Sequence, residues 1–312
     1  MNKHILFLSF FFALPALADG KNAINQVHDN IASGVDKTAE HINNWLGETE
    51  AQTPASASLR VMLDTHWNKD DGVAFKPRIR GRIKLPVLEE KISVVFGDER
   101  LDTEFSNHLD AEPYTHNDKN KQFDYAQSRD ENADLALRWS QLFKQLDIKT
   151  DTDIGIRSGS DLYLRLRAEK KWQHNTQLSS RAEQTYRYGI KSKHHFRSEY
   201  ELRWQENQNR FINNEIGIEF NHNDGENNWT WDNHLYRQHY YSGSRSLNYG
   251  LYTAGGLNHQ KHQLNSYGPF ISWRQPVGYH WLFTQAELNY LNNKDEHRNH
   301  RLGAFLRIEA LF

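Results

Sequence analysis

The 312-residue chain has no cysteine, only 2 methionines and 7 prolines, and no long apolar run beyond its first 18 residues. The lack of cysteine excludes disulfides, thiolate metal sites and a lipid-anchored amino terminus. Without long apolar runs there can be no bundle of membrane helices, because each would need ~20 consecutive apolar residues. Charge of one sign is also missing: 38 Lys and Arg stand against 40 Asp and Glu, a net of -2. With no basic excess and no glycine-rich phosphate loop, no nucleic-acid partner is expected. A mean hydropathy of -0.87 suits a very polar soluble protein, or a strand-built membrane wall in which only every second side chain must be apolar.

The first residues set the compartment. Lys3 and His4 precede the apolar run from Ile5 to Leu14, and Ala16-Leu17-Ala18 gives a small-x-small pattern before Asp19. That order reads as a secretory signal peptide over residues 1–18, cleaved near Ala18. Next, Ile24, Val27, Ile31, Val35, Thr38, Ile42 and Leu46 recur at steps of three and four, with Asp29, Asp36, Lys37 and Glu40 between them. This spacing predicts an amphipathic helix ending near Gly47. Its stripe needs a cover: the inside of a barrel, the periplasmic membrane surface, or a periplasmic partner bound along Ile24–Leu46. Thr53-Pro54-Ala55-Ser56 marks a linker, so residues 19–57 form a helix-and-linker unit ahead of residues 58–312.

From Ser58 onward, runs of about ten alternating residues are separated by turn chemistry, which predicts strands. They fall near Ser58–Trp67, Ala74–Leu85, Lys91–Asp98, Asn132–Gln141, Ile148–Arg157, Leu162–Lys171 and Leu178–Tyr188. The second half continues with His195–Gln205, Asn214–His222, Asn228–Gln238, Leu247–Gly256, Leu264–Arg274, His280–Leu291 and His300–Phe312. The count is about fourteen, with twelve as the alternative because the ninth to eleventh runs alternate poorly. Pro77 is expected to mark a bulge in the second strand. Short connections alternate with longer, more polar ones, the longest being Glu99–Glu131, expected at the outer side, where it either folds inward as a constriction or stands outside as a binding surface. Tryptophans gather at strand ends: Trp139, Trp172, Trp204, Trp273 and Trp281 at one rim, Trp67, Trp229 and Trp231 near the other, as interfacial girdles would place them.

The last twelve residues carry the pattern most plainly. Leu302, Ala304, Leu306, Ile308, Ala310 and Phe312 form one face, and Arg301, Gly303, Phe305, Arg307, Glu309 and Leu311 the other. Ser58–Phe312 as a whole resembles the outer-membrane β-barrels of Gram-negative bacteria, and the final phenylalanine resembles their terminal signal. The resemblance implies an all-β, antiparallel up-and-down transmembrane barrel contacting outer-membrane lipid. It also implies a barrel-assembly machinery that reads the strand ending in Phe312.

Charge facing lipid costs ~2–4 kcal/mol per Lys or Arg at the midplane, so the charged rows must face the lumen. Phe75, Pro77, Ile79, Gly81, Ile83 and Leu85 on one face of the second strand put Lys76, Arg78, Arg80, Arg82 and Lys84 inside. Arg138, Arg165 and Arg167 extend this basic wall, and Glu199, Glu201, Glu215 and Glu219 form an acidic one nearly opposite. Two arrangements fit: a transverse field across open water, favouring polar and anionic solutes, or ion pairs in which Asp64, Asp151, Asp153, Glu169 and Glu183 lock the arginines into a filled lumen. The arginine-lined lumen is similar to that of small porins for acidic oligosaccharides. A porin-like channel is therefore the expected function, with a closed structural or partner-docking barrel as one alternative.

The other alternative is a lipid-modifying acyl hydrolase or transferase working at the rim, where His66, His194, His195, His259, His262, His297 and His300 gather and Ser192 lies close to His194. No signature isolates a nucleophile, so no catalytic residue is assigned. A loose set of His259, His262, Asp295, Glu296, His297 and His300 is read as solvated loop residues rather than a metal site. No cofactor is expected.

Overall fold

A computed structural model describes residues 18–46, 55–85, 91–102, 128, 132–158, 160–223, 226–257 and 262–312. The leader before Ala18, most of the linker and all but the ends of the loop between the third and fourth strands lie outside the described residues.

Helix α1 spans Ala18–Leu46. Fourteen strands follow: β1 Ser56–Asn68, β2 Gly72–Lys84, β3 Ile92–Gly97, β4 Leu135–Phe143, β5 Ile148–Arg157, β6 Asp161–Gln173 and β7 Leu178–Gly189. Then come β8 Lys193–Asn207, β9 Arg210–Asn223, β10 Glu226–Tyr241, β11 Arg245–Gly256, β12 Ser266–Pro276, β13 Leu282–Asn293 and β14 Arg298–Leu311. Each pairs antiparallel with its sequence neighbours, and β1 pairs with β14, which closes the barrel. The count is fourteen rather than twelve. Closure removes every sheet edge, so each strand has a ladder partner on both sides.

The alternation assigns faces as the sequence led us to expect. Leu164, Leu166, Ile154, Ile271, Leu288 and Ile308 are exposed on the outside, while Arg165, Arg167, Asp153, Glu287 and Arg307 between them are buried inside. Exposed isoleucines and leucines around the whole circumference, with ionised residues enclosed, invert the arrangement of a soluble barrel. Trp67, Trp139, Trp172, Trp204 and Trp229 are also exposed on the strands.

Pro77 departs from the expectation of a bulge. The β1–β2 register runs unbroken through Leu63↔Pro77. β3 is short and pairs with β2 only from Arg80 to Lys84, so Pro77 faces a gap where no ladder partner waits for an N–H. The Asn132 side chain fills that gap, donating to Pro77 O at 2.9 Å and accepting from Ile79 N at 2.7 Å.

β3 ends on Gly97, whose φ of +89° turns the following residues toward the lumen. A Cβ there would lie 2.0 Å from Ile79 O. Gly97→Ala is therefore expected to cost at least ~1–3 kcal/mol in backbone strain alone, measured as a lower urea midpoint. An unchanged midpoint would show that the turn is not constrained.

The seam between first and last strands is tied at several heights. Asp64 accepts two bonds from Arg307 at 2.6 and 2.7 Å, and Arg60 pairs with Glu309 below it. At the far rim Asp71 accepts from Arg298 at 2.8 and 2.9 Å, and Asp70 from Arg301. Partial burial alone would raise the Asp71 carboxyl, but the Arg298 hydrogen bonds and charge outweigh it and hold the group below the ordinary carboxylate value. A lowered folded value stabilises above the unfolded pKa of ~3.9 and is lost as pH falls through the folded value. Asp71→Asn should thus lose under ~1 kcal/mol at neutral pH and nothing at the acid end, in paired urea titrations.

A charge lattice inside the barrel

The inner row of β2 is paired along most of its length. Arg78 reaches Asp98 at 2.7 Å and Asp64 at 3.5 Å. Arg80 donates to Asp102 at 2.7 Å, to Gly97 O at 3.1 Å and to Asp134 at 3.4 Å. Arg82 is half-buried and donates to the hydroxyls of Ser93 and Ser140 at 3.1 and 3.3 Å. Lys76 is buried beside Asp64 in register, and Lys84 is exposed at the end of the strand.

The inward turn after Gly97 completes this wall. Residues Glu99–Asp102 form one 3-10 turn, with Leu101 N donating to Asp98 O and Arg100 N to the Asp98 side chain. The turn delivers Asp102 between three arginines, Arg80, Arg138 and Arg165, and Glu99 against Arg165 and Arg187. Arg138 also makes a two-bond contact to Asp153, 2.8 Å at each oxygen, and Arg165 reaches the same carboxylate at 2.7 Å. Lower down, Arg167 pairs with Glu183 at 2.6 Å, Asp151 at 3.1 Å and Glu169 at 3.3 Å. Arg181 carries the lattice on to Glu183 at 3.0 Å and Glu201 at 3.2 Å. Such enclosed charges persist because each guanidinium's fixed fork of donors meets carboxylates in matching geometry.

The four acidic positions also have partners. Glu199 accepts from Arg197 at 2.6 Å, Glu219 from Arg197 at 2.7 Å, Glu201 from Arg203 at 2.7 Å, and Glu215 from Tyr236 at 2.7 Å. β2 and β9 stand seven strands apart in a ring of fourteen, hence on opposite sides. The two walls face each other, and each is largely neutralised within itself.

Solvent reaches other lumenal cations. Arg60, Arg203 and Arg274 keep about a third of their side-chain surface exposed (35%, 36% and 33%) near the end where β1 begins and β14 stops, here the proximal end. Arg203 lies over the Phe211 ring at 4.3 Å and Arg274 over Phe283 at 4.0 Å, so aromatic faces hold these guanidinia to the wall.

Several members escaped the sequence reading. Glu99 and Asp102 lie in the long loop, where no alternation exists to assign a face; Asp98 closes the third expected strand on the parity of Val94 and Phe96, and Asp134 lies in the fourth on the parity of Arg138. Arg181 and Arg187 sit on β7 and could have been found by the parity that marked Arg165 and Arg167. Three of the rim histidines are engaged with neighbours: His194 with Tyr186 at 2.8 Å, His262 with Asp295 at 2.8 Å, and the His300 ring against Tyr267 and Tyr290. His259 lies outside the described residues.

No protein-family model matches the chain, and no curated protein sequence matches it either. Among solved structures it is similar to OprB of Pseudomonas putida at 12% identity, over 83% of this chain and 92% of that one, with a TM-score of 0.48. It is also similar to the outer-membrane channel DcaP of Acinetobacter baumannii at 9% identity, over 85% and 99%, with a TM-score of 0.44. A NanC porin is similar at 5% identity, over 80% and 98%, with a TM-score of 0.40. With its closed ring of fourteen antiparallel strands, apolar outside and ionised inside, the chain is a transmembrane β-barrel of the outer-membrane type.

Proposed function

We propose that this barrel is a narrow channel of a Gram-negative outer membrane, passing polar solutes with a preference for anions. The observation that carries the reading is the unequal distribution of solvent-reachable charge inside. Arginines Arg80, Arg138, Arg165 and Arg167 are enclosed in the lattice, whereas Arg60 and Arg274, which share Glu309, and Arg203, paired with Glu201, remain in contact with solvent while those carboxylates are buried. Gln285 beside Arg274, and Arg197, Glu219 and Asp232 farther along the strands toward the other rim, are also only half-buried, so the wall from β8 to β14 offers a polar surface to a passing solute. A solute there meets fixed charges that replace part of its hydration shell, with the three arginines favouring negative groups at the proximal end.

In the same reading the proximal end faces the periplasm, the leader is removed near Ala18, and the assembly machinery recognises the strand that ends in Phe312. Reversal potentials in planar bilayers under a salt gradient test the charge assignment. The unmodified protein should prefer anions, and Arg203→Glu combined with Arg274→Glu should move the reversal potential toward cation preference. Identical reversal potentials for the two proteins would reject it.

A further inference from the structure

Helix α1 lies against the outside of the barrel wall. Ala39 packs with Ile83 and Leu85, and Ile42, Ala57, Val94 and Phe96 join that cluster. Ile83, Val94, Ala57 and Phe96 belong to the outward rows, since they pair in register with one another or with Gly81 and alternate with the lumenal Arg82 and Ser93. At its other end the helix reaches β14: His28 Nε2 bonds Leu311 O at 2.9 Å, and the imidazole packs against both Trp281 at 4.3 Å and Phe312 at 4.9 Å. Between these points Asp36 accepts from Ala57 N at 3.2 Å. The helix therefore crosses the closing seam of the barrel on its outer surface, at the proximal rim.

The face that docks overlaps the apolar stripe of the sequence only in part: Ile42 joins the wall cluster and Val35 is half-buried, but the amino-terminal members of the stripe stay outside it. At ~100° per residue, His28, Ala32, Ala39 and Asn43 share one side of the helix. These positions are buried or half-buried. Ile24, Val27 and Ile31 point roughly a quarter-turn or more away, and they are 41%, 58% and 40% exposed. Gln26, Asn30, Lys37, Glu40 and Asn44 occupy the remaining side and are all exposed. A helix with three faces fits a corner with three surroundings: protein wall, water and a third, apolar medium.

We propose that the third face is immersed in the phospholipid acyl chains that border the proximal rim, so that α1 is an interfacial membrane helix clasped to the barrel seam. The apolar medium is already present beside it, because the outward rows on which the helix rests continue directly into the exposed Val61, Leu63 and Ile79 of β1 and β2. Nothing needs to be recruited from solution. A helix lying at the boundary with its apolar side in the chains and its polar side in water is the arrangement expected of such an amphipathic segment.

The absence of cysteine makes a direct test straightforward. Val27→Cys, Ile31→Cys, Glu40→Cys and Leu288→Cys in the full-length chain would each carry an environment-sensitive fluorophore, in vesicles of phosphatidylethanolamine and phosphatidylglycerol. Leu288 on the outward face of β13 serves as the lipid standard and Glu40 as the water standard. Probes at 27 and 31 are expected to be quenched by brominated phospholipid to about the extent seen at 288 and to resist aqueous iodide, with the reverse at 40. Iodide quenching at 27 and 31 would overturn the proposal, as would shielding from both quenchers, which would mean a protein cover instead of lipid. Conductance in the same vesicles reads the channel proposal separately.

Discussion

Asp102→Ala should be among the most damaging single changes in the barrel, lowering stability by about 3–5 kcal/mol, because it removes one carboxylate from among three enclosed guanidinia. Arg80, Arg138 and Arg165 have side chains under a tenth exposed and all reach Asp102. Arg138 and Arg165 would retain Asp153, and Arg80 only the more distant Asp134 at 3.4 Å. The three positive charges would then repel one another across the space the carboxylate occupied. Two readouts follow. The urea midpoint should fall, and in bilayers the anion preference should rise, because the freed guanidinia become available to solutes. Asp102→Asn, which keeps the shape but removes the charge, should fall between the two. An Asp102→Ala protein with the original midpoint and selectivity would mean that the 3-10 turn does not sit in the lumen.

The second large effect is expected at the seam. Asp64 is fully enclosed, bonded twice to Arg307 and in ion-pair range of Arg78. Asp64→Ala leaves Arg307 buried without this counter-charge and should cost about 3–5 kcal/mol, whereas Asp64→Leu combined with Arg307→Met should recover most of the loss, since apolar pairs of similar volume replace enclosed ion pairs well. A double-mutant cycle on urea midpoints isolates the coupling. If the double variant were as unstable as the sum of its parts, the pair would not be the interaction that matters there. The location adds weight: these two residues are 243 positions apart and join the strands whose pairing closes the ring.

The strand count, the assignment of faces and the basic row of β2 were legible because a membrane barrel writes its geometry into the sequence at period two. Phe75, Ile79 and Ile83 could not share a face without sending Arg78, Arg80 and Arg82 to the other. Partner choice was not legible. Whether Arg80 meets open water or a carboxylate depends on Gly97 turning the chain inward and on Asp102 arriving four residues after Asp98, in a segment with no periodicity. Pro77 was misread for a related reason: its cost depends on the length of β3, a neighbour's property. The helix shows a third limit. Hydrophobic spacing put Ile24, Val27 and Ile31 on one side with Ile42, but the barrel wall took only Ile42 of these, together with the smaller Ala39, and left the other three exposed.

The most direct test of the whole account is the current through single molecules of the unmodified protein, purified as a folded barrel and inserted into a planar bilayer. Discrete steps, with more current carried by the anion of the salt, are predicted. A folded, heat-modifiable barrel that inserts yet stays electrically silent would mean that the charge lattice closes the lumen completely, and that the protein is not a channel.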